Sequence, residues 1–261
     1  MIEDGESVQG GLSLVRREGE SIRRPWRSWS AAVGELLRHL ERVGFTGAPR
    51  VLGGGPQEGE EVLSLLHGEV GGSPWPPALL ADEGVVALGR WLRDYHEAVR
   101  DFRPSPQALW AGGDVPWRPG LIMRHGDLGT WNSVWMPDGL VGVIDWDLAV
   151  PGEPIDDLAQ LAWYSVPLRS PERQRRAGYG PDGAPLARRL RLLCAAYGGV
   201  DPAEVLDALV RLQRWETERI ARLGPLGVEP WSTFLEREFV PDIEAERSWA
   251  LARRAELLGE E

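Results

Sequence analysis

The chain has 261 residues, of which 43% are apolar and 26% are charged, and this composition is typical of a globular protein with one large domain or two modest lobes. Its net charge of -11 argues against nucleic-acid binding, which requires a basic face. One cysteine, Cys194, excludes an intramolecular disulfide and a multi-cysteine metal site, and its apolar surroundings in the sequence predict a buried, inert thiol. All 29 basic residues are arginine, so no mechanism can use a lysine.

The sequence carries no sign of a membrane or secretory segment. The N-terminal residues are acidic and lead into no apolar run, which is unlike a secretory signal. Nowhere do 18 apolar residues follow one another, so no membrane-spanning helix is predicted. We therefore expect a cytoplasmic protein, a monomer or homodimer, with neither nucleic acid nor membrane as a partner.

The first quarter of the chain predicts a small lobe rich in strands. Residues 8–25 alternate between short strands and turns, and Arg24 is expected to end a strand because a residue before proline favours extended backbone. A helix is predicted from Ser30, as its N-cap, to Gly44, with one apolar stripe.

Two further strands, 49–52 and 61–66, are predicted on either side of a turn at 53–56. Residues 1–67 are thus interpreted as a nucleotide-binding lobe with a single helix. The glycine-rich segment 68–74 is the best candidate for a linker.

The rest of the chain, 68–261, predicts a larger and mainly helical lobe. An amphipathic helix is expected at 85–99, and further helices at 187–197, 202–223 and 233–258. The fold class predicted for the whole is α+β with two lobes.

The most informative segment is RHGDLGTWN, residues 124–132, followed by VGVIDWD at 141–147. A turn signal at 137–139 lies between them, so a hairpin is predicted that brings Asn132 and Asp145 to one end, beside the loop of Asp127.

Three oxygen donors at one place suit phosphoryl transfer. Magnesium prefers oxygen ligands, which Asn132 and Asp145 supply. A separate carboxylate, Asp127, can orient an acceptor hydroxyl and take its proton, while His125 supports the loop. If each residue is considered alone, a loop residue that satisfies backbone amides is the alternative interpretation.

This pattern, His-x-Asp-x-x-x-x-Asn followed by an apolar strand and Asp, resembles the signature of the aminoglycoside phosphotransferase family, relatives of the eukaryotic protein kinases. The segments LGRWLRDYH at 88–96 and GEPIDDLA at 152–159 also resemble that family. The resemblance implies a two-lobed protein-kinase-like fold, Asp127 as catalytic base, His125 as its brace, and Asn132 and Asp145 as ligands of Mg²⁺. It implies ATP or GTP as donor, a small-molecule hydroxyl as acceptor, and a place in antibiotic resistance.

The sequence departs from that family at the nucleotide site. The family usually has a lysine on the third strand, where this chain has Arg23 and Arg24, only one of which can face the cleft. Gly10 and Gly11 make a poor glycine-rich loop. Glu35 lies opposite the apolar stripe of the predicted helix, so it is poorly placed to pair with the arginine that replaces the lysine. His67 lies where the resemblance would place an adenine.

Other functions stay open at this stage. The chain is either a small-molecule kinase, a kinase of a peptide or protein hydroxyl in natural-product tailoring, or a non-catalytic binding protein of kinase fold. A metal-dependent hydrolase using His125, Asp127 and Asp145 would need more histidine ligands than the 4 histidines of the chain offer.

The acceptor is not determined by the sequence. Acidic residues of the C-terminal helices could bind a cationic acceptor or simply be solvated: Glu216, Glu218, Glu236, Glu238, Asp242, Glu244 and Glu246. The 13 tryptophans could line an apolar pocket or belong to the core. Asp147 is predicted either to lie near the metal or to tether its loop, and Asp157 to anchor the following helix.

Overall fold

The computed structural model describes residues 7–9, 14–111 and 115–260. The predicted α+β fold class is confirmed, because every strand of the described residues lies before residue 153 and the part after it is mainly helical. Gly10, Gly11 and the start of the strand predicted at residue 12 lie outside the described residues. The predicted boundary between residues 67 and 68 stays a prediction.

The chain forms two compact units, each assembled from several segments. The first unit comprises 1–71, 91–127 and 131–154, and the second comprises 72–90, 128–130 and 155–261.

An antiparallel sheet in the first unit has the strand order β1-β2-β3-β5-β4. Its strands are β1 (Ser7–Gln9), β2 (Leu14–Glu18), β3 (Ser21–Pro25), β4 (Val51–Gly55) and β5 (Glu60–Ser64). The third strand pairs with β5 and not with its sequence neighbour β4, and this register places Arg24 directly opposite Glu61.

Helix α1 (Ser30–Arg42) forms as predicted, and Val33, Leu36, Leu37 and Leu40 of its predicted apolar stripe are buried, while Val43 follows the helix and is exposed. The predicted N-cap role of Ser30 is wrong, because Ser30 is the first helical residue and makes no capping bond. Its hydroxyl accepts a hydrogen bond from the backbone N–H of Arg27 at 3.0 Å and donates one to Glu61 at 2.8 Å. The hydroxyl oxygen thus accepts from Arg27, a residue before the helix, and, among the described residues, from no backbone N–H of the first helical turn.

The turn predicted at 53–56 is also displaced. Glycines 53–55 belong to β4, and the turn covers residues 56–59. Gly54 has a φ of 85°, and a Cβ there would lie 2.3 Å from the carbonyl oxygen of Glu60. These glycines therefore allow close approach of two strands, whereas the sequence alone suggested a turn.

The predicted hairpin is confirmed as β8 (Ser133–Met136) and β9 (Gly139–Val143). A short strand, β6 (Glu69–Val70), pairs with β8, so the predicted linker 68–74 is in part a strand. Strand β7 (Ile122–Arg124) pairs with β10 (Val150–Gly152), and the loop that begins at His125 leaves directly from β7.

Helices make up the rest of the fold. They are α2 (Pro77–Leu80), α3 (Asp82–Val99), α4 (Pro154–Ser165), α5 (Pro171–Ala177), α6 (Leu186–Tyr197), α7 (Pro202–Leu223), α8 (Trp231–Glu236), α9 (Phe239–Ala252) and α10 (Arg254–Leu258). Those predicted at 85–99, 187–197 and 202–223 are confirmed, but the single helix predicted at 233–258 is wrong. It breaks where Glu238 takes a φ of 55° and again at Arg253.

A buried arginine organises the second unit. Arg189 of α6 is fully buried and donates to the carbonyl oxygens of residues 79, 80, 81 and 165, at 2.9 to 3.1 Å. These carbonyls lie at the ends of α2 and α4, where helices leave acceptors unused. In the part of the chain that the structure describes, no helix is both long and apolar enough to span a membrane.

Candidate active site

The loop after β7 presents Asp127 with its carboxylate already held. The side-chain nitrogen of Asn132 donates to the backbone oxygen of Asp127 at 2.9 Å and to its Oδ2 at 2.8 Å. The indole N–H of Trp131, a residue that is 42% exposed, lies 3.4 Å from the same Oδ2. Both bonds reach the same carboxylate oxygen, Oδ2, so the Asp127 side chain is oriented by residues of its own loop.

His125 joins this loop to the end of the hairpin. Its Nδ1 accepts from the backbone N–H of Asp127 at 3.2 Å, which assigns the proton to Nε2, and Nε2 donates to the carbonyl oxygen of Ile144 at 3.1 Å. The ring is fully buried and packs on Trp146, with ring centroids 4.5 Å apart. A histidine enclosed in this way, with one ring nitrogen accepting and the other donating, holds the loop in place through its two hydrogen bonds.

Gly126, between His125 and Asp127, occupies a backbone position that only glycine fits. Its φ is 79°, and a Cβ at this position would lie 2.0 Å from the carbonyl oxygen of Leu148.

Asp145 lies two residues after the end of β9 and adopts a φ of 62°, a rare conformation for a residue with a side chain. The backbone N–H of the preceding residue, Ile144, donates to the carbonyl oxygen of Asn132 at 2.8 Å. Asn132 and Asp145 are thus brought to the same end of the hairpin. Desolvation of the Asp145 carboxyl group and the nearby Asp147 carboxylate raise the pKa of Asp145 to about 6, which Arg24 only partly offsets.

Arg23 and Arg24 lie on opposite faces of β3. The side chain of Arg23 is 31% exposed and pairs with Glu18 and Glu60. The side chain of Arg24 is only 9% exposed and contacts Glu61 at 3.0 Å, Asp147 at 2.6 Å and Asp145 at 3.5 Å. Of the two arginines, Arg24 is therefore the one that reaches Asp145.

Glu61 and Asp147 complete this cluster, and sequence reasoning missed the first and left the second undecided. Both are buried and contact Arg24. The geometry of Asp147 is that of a tether to Arg24. Burial raises the pKa of Glu61, while Arg24 and the Ser30 hydroxyl oppose that effect.

The charges of this cluster suit a divalent cation. Three carboxylates (Glu61, Asp145 and Asp147) surround the guanidinium of Arg24, so negative charge is in excess by two. Since the nitrogen of the Asn132 amide faces Asp127, its oxygen is available to a metal. Among the described residues no three or more His, Cys, Asp or Glu side chains form a ready-made cage. A magnesium ion at Asp145 and Asn132 would therefore need further oxygen ligands from phosphate and water.

Two other predicted residues are engaged elsewhere. His67 is exposed and bonds to Glu20 at 2.5 Å, and within the described residues no hydrogen bond or ion pair connects it to Arg24. The carboxylate of Glu35 accepts from the backbone N–H of Ser105 at 3.4 Å.

Several acidic residues of the C-terminal helices already have arginine partners. Glu246 is buried, accepts from Trp163 at 2.7 Å and contacts Arg169 at 2.8 Å, and Asp242 pairs with Arg173 at 2.8 Å. These two carboxylates serve the packing of their own unit, which weakens their case as ligands of a cationic acceptor.

Comparisons with known proteins identify the family of this chain. Residues 107–193 match the model of the phosphotransferase enzyme family. The trifolitoxin immunity protein of Rhizobium leguminosarum bv. trifolii is 36% identical over 193 residues, which is 72% of this chain and 72% of that protein. The chain belongs to the phosphotransferase enzyme family.

Solved structures show the same fold at low identity. The GDP complex of wild-type aminoglycoside 2'-phosphotransferase-IIIa is 14% identical and aligns over 95% of this chain and 93% of its own, with a TM-score of 0.59. A choline kinase from Cryptosporidium parvum Iowa II is 12% identical and aligns over 98% and 90%, also with a TM-score of 0.59. The predicted kinase-like fold is thereby confirmed.

Proposed function

We propose that this protein is a magnesium-dependent kinase that transfers the γ-phosphate of ATP or GTP to a hydroxyl group of a small natural product. The observation that carries the proposal is the carboxylate of Asp127, held on one oxygen by Asn132 beside the end of the hairpin that bears Asp145. Because both nucleotides are intracellular, we place the protein in the cytoplasm.

Asp127 acts as the catalytic base. The carboxylate, oriented by Asn132 and Trp131, positions the acceptor hydroxyl and accepts its proton as the oxygen attacks the γ-phosphorus and the nucleoside diphosphate leaves. His125 keeps the loop in place through two backbone bonds and transfers no proton.

Asp145 and Asn132 would hold a magnesium ion together with the nucleotide. When bound, such a metal would offset the charge of the phosphate oxygens. Asn132 would then have two tasks, since its amide oxygen would be a ligand of the metal while its nitrogen keeps Asp127 oriented. This connection sets the base and the metal site in a fixed geometry.

Arg24 takes the place of the lysine of the third strand. Its guanidinium is beside Asp145 and supplies the positive charge for the phosphates, although a planar fork does not reproduce the point charge of an ammonium. His67 is retained as a candidate for the adenine side of the site, and it is the weakest of the proposed nucleotide residues because it bonds to Glu20.

The relatives suggest the kind of acceptor. One is an immunity protein against trifolitoxin, and a solved structural neighbour holds GDP and kanamycin. We infer that the acceptor is a toxic natural product whose phosphorylation protects the producing or exposed cell.

The test is transfer of labelled phosphate to a panel of aminoglycosides, choline and hydroxyl-bearing peptides, with and without magnesium. A labelled peptide as the sole product would favour a peptide kinase over a kinase of smaller molecules. Nucleotide binding without turnover on any acceptor, including water, would favour a binding protein.

A further inference from the structure

We infer that the sheet itself, through the cross-strand pair of Arg24 and Glu61, holds the phosphate-binding cation in place, so that helix α1 does not gate nucleotide binding. This inference rests on the proposed function of Arg24. It assigns Glu61 as a positioning residue, in a task that protein kinases give to a glutamate on a movable helix.

The pair is built into the strand register. Arg24 of β3 and Glu61 of β5 are directly opposite one another in the antiparallel ladder, where side chains on one face are neighbours. Arg24 Nε lies 3.0 Å from Glu61 Oε1, and both side chains are less than 10% exposed. Moving the backbones of Arg24 and Glu61 apart would require breaking the ladder between β3 and β5.

Helix α1 contributes no charge to this arrangement. Within the described residues no ion pair joins α1 to Arg24, whose partners are Glu61, Asp145 and Asp147. Glu35, the doubtful candidate on the helix, instead accepts from Ser105. Among the residues that the structure describes, the hydrogen bond from α1 to the pair comes from the hydroxyl of Ser30, which donates to Glu61 at 2.8 Å.

Asp147 anchors the other side of the guanidinium. Its Oδ1 is 2.6 Å from Arg24 Nη2, and its side chain is 5% exposed. Two buried carboxylates on different elements therefore fix the orientation of one cation before any ligand arrives. Such preorganisation lowers the cost of binding the phosphates, because the charge need not be reoriented.

The test is calorimetric titration of the full chain with MgADP and MgGDP, comparing Glu61→Gln with wild type. We expect Glu61→Gln to weaken nucleotide binding by about tenfold, because the ion pair that orients Arg24 is lost. The thermal midpoint should be unchanged or higher, because Asp145 and Asp147 still compensate Arg24 after a buried charge is removed. A residue with a purely structural role would show the opposite pattern, with lower stability and normal affinity.

Matched controls are available on the same elements. Glu60→Gln changes the residue before Glu61 in β5, which pairs with Arg23 on the other face of the sheet. Glu35→Gln changes the glutamate of helix α1. Both should bind nucleotide as the wild type does, and Ser30→Ala should weaken binding by less than threefold. Loss of affinity in Glu35→Gln with normal affinity in Glu61→Gln would overturn the inference and leave the proposed function intact.

A measurement without nucleotide separates the two claims further. The variants Arg24→Lys, Glu61→Gln and their combination form a double-mutant cycle in denaturant unfolding of the free protein. Shifts of the midpoint that are not additive show that the pair exists before ligand binds, whereas additive shifts would refute this preformed pair. A wild-type protein that binds neither nucleotide would overturn the proposed function, and the role of Glu61 with it.

Discussion

The amide nitrogen of Asn132 donates hydrogen bonds to both the backbone oxygen and the carboxylate of Asp127, at 2.9 and 2.8 Å. These bonds tie the proposed base to a proposed metal ligand across five residues of one loop. Since the amide oxygen points to the other side of the same group, Asn132 can serve both sites at once.

Replacing Asp127 by asparagine should remove the base and preserve the loop. Asparagine can still offer an oxygen to Asn132, so nucleotide affinity should change by less than about twofold, while transfer should fall by about two to four powers of ten. Single-turnover transfer measured beside nucleotide titration checks this. Normal transfer in Asp127→Asn would mean that another group accepts the proton.

Replacing Asp145 by asparagine should remove the anionic magnesium ligand. In the presence of magnesium, the nucleotide affinity of Asp145→Asn should fall to the affinity that the wild type shows in EDTA. In EDTA, the mutant and the wild type should bind nucleotide equally. Titration calorimetry with and without EDTA separates the magnesium-dependent part of the affinity from the rest. Equal affinity of mutant and wild type in magnesium would contradict the assignment of Asp145.

Alanine at Arg24 and at Arg23 should have very different effects. Arg24→Ala leaves Glu61 and Asp147 buried without their cation, so it should destabilise the fold by about 3 kcal/mol and abolish most nucleotide affinity. Arg23→Ala removes a partly exposed pair and should change neither property measurably. Denaturant unfolding and nucleotide titration of both variants provide the comparison, and equal effects would refute the assignment of Arg24 alone to the site.

Alanine at Gly126 should distort the base-bearing loop. The added Cβ meets the carbonyl oxygen of Leu148 at 2.0 Å, so the backbone must move, and transfer should fall at least tenfold. Gly44→Ala is the control, because Gly44 has a similar φ of 81° and nothing within 4 Å of an added Cβ. It should cost about 1 kcal/mol in stability and leave transfer unchanged. Equal losses of transfer in the two variants would point to backbone strain alone.

Cys194 should be unreactive in the folded protein. Burial, reinforced by the nearby Asp201, raises the pKa of its thiol to about 12, so almost no thiolate exists at pH 8. A disulfide reagent such as dithionitrobenzoate should label no cysteine in native protein and one after unfolding in urea. Rapid labelling of the native protein at pH 8 would contradict the buried position.

Local patterns in the sequence were enough to predict much of this structure. The turn at 137–139 between two apolar runs predicts the hairpin, and the hairpin brings Asn132 and Asp145 together. Alternation along β3 predicts that Arg23 and Arg24 face opposite sides, as they do. Each of these conclusions needs only residues that are close in the chain.

The role of Glu61 could not be predicted in this way. It depends on β3 pairing with β5 across an intervening helix and strand, and no local pattern specifies that register. The N-cap prediction for Ser30 is wrong because the helix begins one residue earlier than expected and the hydroxyl oxygen accepts from Arg27 instead. Three successive glycines at 53–55 predict a turn from their own sequence. The structure places the turn at 56–59, and Gly54 instead allows two strands to lie close together. Acidic residues such as Glu246 likewise reveal their arginine partners only in three dimensions.

The most direct test of the account is single-turnover transfer from γ-labelled ATP and GTP in the presence of the acceptor panel, with wild type and Asp127→Asn run side by side. The account predicts magnesium-dependent appearance of label on a hydroxyl-bearing acceptor with the wild-type protein. It also predicts that Asp127→Asn binds the nucleotide equally well but transfers at least a hundredfold more slowly. Equal transfer by the two proteins, or transfer that persists in EDTA, would contradict it.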